Sequence, residues 1–162
     1  KLGQVYKLKS GDGLSAKQFI EVQYPVYGGN GVTGYHNQFF VDANTIVIGR
    51  VGEYCGSVHL TDKPAWITDN ALYVREYKMD AVPKYILYAL KKLNLNQYAN
   101  RTGQPNISQS SIANVLMTMP SKEDQEHIVK EIEKLEIQIN EVRSFIESSA
   151  AKKQEILDKY LK

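Results

Sequence analysis

The sequence predicts an α+β protein: a curved or barrel-like, mostly antiparallel β domain with short helices over residues 1–120, then a long coiled-coil-forming helix over 121–162. Three observations carry this expectation. Six short runs rich in Val, Ile, Tyr and Phe lie before residue 76, bounded by Gly, Asp, Asn or Pro as strands are. The first helical apolar face comes only after Asp80. Beyond Pro120 the apolar residues settle into a heptad.

The predicted strands are Gln4 to Leu8, Phe39 to Val41, Thr45 to Arg50, Ser57 to Leu60, Ala65 to Thr68 and Ala71 to Arg75. Asp80 is the expected N-cap of the first helix, with Pro83 in its opening turn and Tyr85, Ile86, Tyr88, Ala89, Leu90 and Leu93 as its apolar face. Residues 94–111 are dense in Asn, Gln, Ser and Thr and read as a solvated loop leading to a short helix near Ser110 to Val115. After Pro120, Ser121-Lys122-Glu123-Asp124 is a helix start with acidic residues in its first turn. From there Ile128, Ile132, Leu135, Ile139, Val142 and Ile146 recur at spacings of four and three, and the register runs on through Ser149, Lys153, Ile156 and Tyr160. A helix of about 40 residues is roughly 60 Å long, which calls for another helix to cover its seam.

With 162 residues, 43% of them hydrophobic, the chain suits one compact domain plus an extension. No apolar run approaches the roughly 18 residues a membrane span needs, and no signal-like segment begins the sequence, so a cytoplasmic location is expected. The single cysteine, Cys55, has no internal disulfide partner and reads as a small buried or half-buried residue. Charge is unevenly spread. Residues 1–120 hold 12 Lys and Arg against 8 Asp and Glu, whereas 121–162 hold 8 against 10. The front part is mildly basic, which favours a polyanionic partner without demanding one.

The densest chemistry lies between Tyr24 and His36, where four glycines alternate with aromatic residues, Asn and Thr. It reads as a surface loop able to stack on, and hydrogen-bond to, something flat and polar. Within it, Gly29-Asn30-Gly31-Val32-Thr33-Gly34 imitates the dinucleotide pattern GxGxxG, but Pro25 precedes it and no helical periodicity follows, so both flanks of a Rossmann turn are missing. A second glycine-bearing loop, Gly49 to Gly56, carries Arg50 at its mouth. Arg50 suits a phosphate or a guanine, or equally a surface pair with Glu53. Asn and Gln of the polar segment suit adenine edges.

Catalytic signals are absent. His36, His59 and His127 lack ligand spacing, no nucleophile elbow or phosphate-binding Gly-Lys-Ser/Thr loop occurs, and no cofactor or metal is expected. Asp62 or Asp69 with Glu76-Tyr77-Lys78 imitates the carboxylates and lysine of metal-dependent nucleases, a cheap coincidence at a strand end.

Tyr24-Pro25-Val26-Tyr27-Gly28-Gly29-Asn30-Gly31 with Gly34-Tyr35-His36, then Ile48-Gly49-Arg50-Val51-Gly52 with Gly56, then Thr68-Asp69-Asn70-Ala71-Leu72, resemble the target recognition domain of the specificity subunit of type I restriction-modification enzymes. Gln104-Pro105-Asn106-Ile107-Ser108 and Met119-Pro120, followed by Glu123 to Val129, resemble the junction into that family's spacer helix. The resemblance implies a non-catalytic subunit that reads double-stranded DNA and docks an adenine methyltransferase (modification) subunit and a restriction subunit. The family carries two recognition domains and two spacer helices per chain. One of each here implies a half subunit, and its seam (Ile128, Ile132, Leu135, Ile139, Val142, Ile146, Ile156, Tyr160) then predicts a homodimer. The DNA contacts expected within that resemblance are Tyr27, Asn30, Thr33, Tyr35 and His36 in the first loop, Arg50 in the second, and Arg101, Gln104 and Asn106 in the polar segment. The competing reading is a coiled-coil adaptor for proteins that does not bind DNA.

Overall fold

The computed structural model describes residues 1–161 and divides into two units, Lys1–Gln125 and the chain from Glu126 onward. The first unit holds two open sheets. In chain order its elements are α1 (Leu2–Val5), β1 (Tyr6–Ser10), β2 (Tyr24–Gly28), β3 (Gly31–His36), β4 (Ile46–Gly49), β5 (Val58–Leu60), β6 (Trp66–Ile67), β7 (Ala71–Tyr77), α2 (Pro83–Leu93) and α3 (Gln109–Ala113). One sheet has the order β1-β7-β4-β5 and is antiparallel throughout; the other has the order β3-β2-β6, with β2 and β6 parallel. No closed barrel forms among the described residues, so the open arrangement replaces the barrel alternative.

The run Ile46-Val47-Ile48-Gly49 is buried along its whole length because β4 lies between β7 and β5. An uninterrupted apolar run is what such a strand requires. Tyr27, Val47, Ile67, Ala71 and Tyr73, drawn from both sheets, share one core with Val41 and Ala65. Phe40 packs on it.

Several boundaries differ from expectation. The run predicted as a strand from Gln4 begins as a helical turn, closed by the Gln4 amide donating to the Lys1 carbonyl at 2.9 Å. Of the run Phe39 to Val41, only Val41 pairs, through a single bridge to Ala65. At α2 the N-cap is Val82 rather than Asp80. Val82 has no capping side chain of its own, and its amide donates instead to the Oε1 of Gln125 at 2.9 Å. Gln125 is 1% exposed and also donates to the carbonyl of Pro120 at 3.0 Å, so a buried amide secures the entry to α2.

The largest correction concerns Tyr24 to His36. It is a β-hairpin with a buried base rather than a surface loop: Val26 and Tyr27 are 0% and 5% exposed. Gly29-Asn30 forms its two-residue turn, and Gly31 has a φ of +92°, a conformation that a side chain would strain.

The helix α4 runs unbroken from Lys122 to Tyr160, 39 residues. Ser121 caps it, accepting from the Asp124 amide at 3.1 Å while its hydroxyl donates to the Asp124 carboxylate at 2.7 Å. The small residues Ser148 to Ala151 leave the helix continuous, as expected where neither Gly nor Pro occurs. No helix among the described residues is long and apolar enough to cross a membrane.

Candidate nucleic-acid interface

Three segments far apart in sequence meet on one face of the first unit. The hairpin tip is the first. Its register shifts between Val26 and Tyr27, so Thr33 is the extra residue of a bulge, and both Thr33 and Asn30 are exposed.

The loop from Gly49 to Ser57 is the second. Ser57 donates to the Gly29 carbonyl at 2.9 Å and lies 3.3 Å from the His59 ring, which packs under Gly31. A side chain at position 49 would collide with the Gly29 carbonyl, so glycine there lets the loop and the hairpin tip touch. Burial, seconded by the charge of Lys91, lowers the pKa of His59 and favours its neutral ring.

The polar segment is the third. Asn100 and Asn106 pair backbone to backbone at 2.8 and 3.0 Å and close a loop that exposes Arg101, Thr102, Gly103 and Gln104. Asn106 also bridges Val51, the Gly52 amide donates to the Pro105 carbonyl at 2.9 Å, and the Ile107 amide donates to the Arg50 carbonyl at 2.8 Å. Asn96 adds a side-chain clamp, donating to the Cys55 carbonyl at 2.7 Å, and it accepts from Arg101. Residues predicted to lie in a loose solvated loop are therefore laced onto the second glycine loop.

The expected contact residues separate under this geometry. Asn30, Thr33, Arg101, Gln104 and Asn106 are exposed, and Tyr35 and Arg50 are half-buried. Tyr27 and His36 are buried. Tyr27 sits in the shared core, and its hydroxyl pKa is raised by burial first and by Asp62 second. His36 is 3.1 Å from the Gln18 carbonyl and edge-on to Trp66. Both shape the base of the hairpin. Arg50 does not pair with Glu53; its Nη1 donates to the Ser10 hydroxyl at 3.0 Å.

Sequence reasoning missed Ser57, His59 and Asn96 as supports of this face. Ser57 and Gly29 are 28 residues apart, and Asn96 and Cys55 are 41 apart, so no local pattern announces either contact. The imitation of a nuclease site does not assemble. For the Asp69 alternative, Asp69 precedes β7 and Glu76 lies near its far end, roughly 20 Å away at strand rise, and for either alternative the Lys78 ammonium is spent on the Gly3 carbonyl. Among the described residues no three of His, Cys, Asp and Glu gather to hold a metal.

The family described as the type I restriction modification DNA specificity domain matches residues 1–147. The chain belongs to that family. A curated relative, the type I restriction enzyme EcoprrI specificity subunit of Escherichia coli, is 30% identical across 93% of this chain and 39% of that protein. The chain thus spans about two fifths of the length of the curated relative it matches. Among solved structures, the type I restriction-modification S subunit of M. genitalium superposes with a TM-score of 0.75 at 22% identity, covering 90% of this chain and 40% of that one. The HsdS subunit of Thermoanaerobacter tengcongensis gives 0.62 at 17% identity, covering 88% of this chain and 38% of that one. Paired sheets followed by a long helix are therefore the fold of this specificity-domain family.

Proposed function

We propose that the chain is a non-catalytic DNA-reading module, one recognition domain with one spacer helix, that directs a partner adenine methyltransferase and a restriction subunit to a split DNA target. The observation that supports this reading is that the hairpin tip bearing Asn30 and Thr33 and the segment bearing Arg101, Gln104 and Asn106 are both hydrogen-bonded to the glycine loop that begins at Arg50, in a member of a DNA specificity family. Exposed amide side chains suit adenine edges, arginines suit guanine or phosphate, and the backbone lacing pre-organises them. Buried Tyr27 and His36 drop out of the contact set, and Tyr35 stays at its margin.

The seam of α4 supports a homodimer within the same proposal. Leu135, Ile139, Val142 and Ile146 are 50–59% exposed in the isolated chain, Ile156 and Tyr160 are 60% and 69% exposed, and Ile128 and Ile132 sit at its start. Two such helices packed together would place two identical readers on a two-fold axis, which suits a palindromic target in two parts. The test is reconstitution with the methyltransferase subunit and mapping of methylated adenines on plasmid DNA. The expected product is methylation confined to one bipartite palindrome; methylation without sequence preference, or none on any DNA, would sink the proposal.

A further inference from the structure

The side chain of Arg50 is held in a way that base reading does not require. Its backbone is stitched on both sides, the amide to the Asn70 carbonyl at 2.9 Å and the carbonyl to the Ile107 amide at 2.8 Å. Its guanidinium is held by Ser10, 40 residues earlier, and meets no carboxylate among the described residues. Around it lies a recess of about 340 Å³ lined by Ser10, Arg50, Leu72, Ser108, Gln109 and Ser110. The Ser108 and Ser110 hydroxyls are 2.9 Å apart, and the Ser10 oxygen accepts from Arg50, which leaves its own proton to give. The lining therefore has one permanent cation, three hydroxyls, one amide and no acid. Gly29 of the hairpin tip stands against the carbonyls of Val51 and Asn70, the second of which accepts the Arg50 amide.

We infer that Arg50, Ser10, Ser108 and Ser110 form a socket for one backbone phosphate of the DNA that the neighbouring hairpin tip reads. A guanidinium backed by hydroxyl donors matches the several acceptor lone pairs of a phosphodiester: Arg50, Ser10 and one hydroxyl of the Ser108–Ser110 pair have protons to give, the other proton of that pair being spent between the two oxygens. Guanine also offers two acceptors, O6 and N7, but they lie at the floor of a groove, out of reach of a recess. Phosphates are the outermost groups of the duplex and enter one readily. The stitched backbone and the bond to Ser10 fix the cation on the same loop that the hairpin tip touches through Ser57 and Gly29, so a gripped phosphate would set the register in which that tip meets the bases. This inference rests on the proposed DNA-reading function and assigns Arg50 to positioning rather than base choice.

The experiment uses the chain reconstituted with its methyltransferase subunit, and fluorescence anisotropy on DNA with and without the methylated target across a salt series. Arg50→Gln is expected to weaken target and non-target binding by the same factor, roughly tenfold or more, and to flatten the log K against log salt slope by about 0.9, the value for one phosphate. Ser110→Ala, an exposed change that spares the fold, is expected to weaken both DNAs equally but less. A methylphosphonate scan of the target backbone should find one position whose neutralisation costs the wild type affinity and costs Arg50→Gln nothing. Loss confined to the target DNA would make Arg50 a base reader and overturn the inference. So would unchanged binding in both variants, or failure of folded Arg50→Gln to bind the methyltransferase subunit, which would give the socket to a protein carboxylate. A wild-type complex with no preference for any sequence is a different failure, that of the DNA-reading proposal itself.

Discussion

The sheet-bearing unit and the long helix treat their apolar residues in opposite ways. In the first, Val26, Ile46, Val47, Ile48 and Ile67 are all 0% exposed, each covered by the same unit's own strands and helices. In the second, the stripe from Leu135 to Ile146 remains half open to solvent. The first unit follows the ordinary rule that a sheet buries one face against a partner layer of the same domain. The helix carries a heptad, a pattern that only a second helix can satisfy. The lesson is that the β unit covers its apolar residues with its own strands and helices, whereas the helix leaves its stripe uncovered, as the proposed dimer requires.

Disrupting each pattern separately tests that contrast. The largest effect is expected from Ile139→Asp, which places a carboxylate in the middle of the seam: sedimentation should show dimer converted to monomer, while the urea midpoint of the β unit stays put. A wild-type chain that is monomeric at micromolar concentration would refute the interface. Next comes Ile67→Ala, which removes a fully buried side chain from the shared core and should cost about 2–5 kcal/mol in urea unfolding. A loss under about 1 kcal/mol would mean that this core is not the one supporting the unit.

Gln125→Ala sharpens the comparison at the point where one unit gives way to the other. It strips the acceptor from the Val82 amide and should cost about 1–3 kcal/mol, whereas the exposed Gln138→Ala on the helix should cost almost nothing. The smallest effect is a pH dependence from His59. Its folded pKa lies below the ordinary value of 6.5, so the unfolded chain takes up the proton first as pH falls. Its contribution to stability is therefore full above 6.5 and is lost as pH drops from there through the depressed folded value. Urea midpoints at pH 7.5 and 5.0 should show a fall that His59→Gln reduces; an identical fall in both would assign the effect to other groups.

Legibility followed the range of the interactions. The seam of α4, its Ser121 cap and the buried run Ile46 to Gly49 were readable because periodicity, capping and continuous apolarity are properties of a short window. The first sheet's β4, β5 and β7 lie within or overlap the runs expected for them. The hairpin at Tyr24 to His36 was misread as a loop because its glycines suggest exposure, and only pairing with β6 and packing of Tyr27 into the shared core reveal a buried base. Asp80 lost the cap of α2 to a glutamine 45 residues away, a partner no window contains.

By itself the sequence determined the order of strands and helices, the extent of α4 and the identity of the glycine-bearing segments, since these depend on each residue's neighbours along the chain. Tertiary structure decided which of the candidate residues form a surface. It sent Tyr27 and His36 inward, laced Asn106 to Val51, and brought Ser10 and Ser108 to Arg50. The physical reason is that burial and convergence are set by which strands pair and which layers pack, contacts between residues tens of positions apart that leave no periodic trace in the chain.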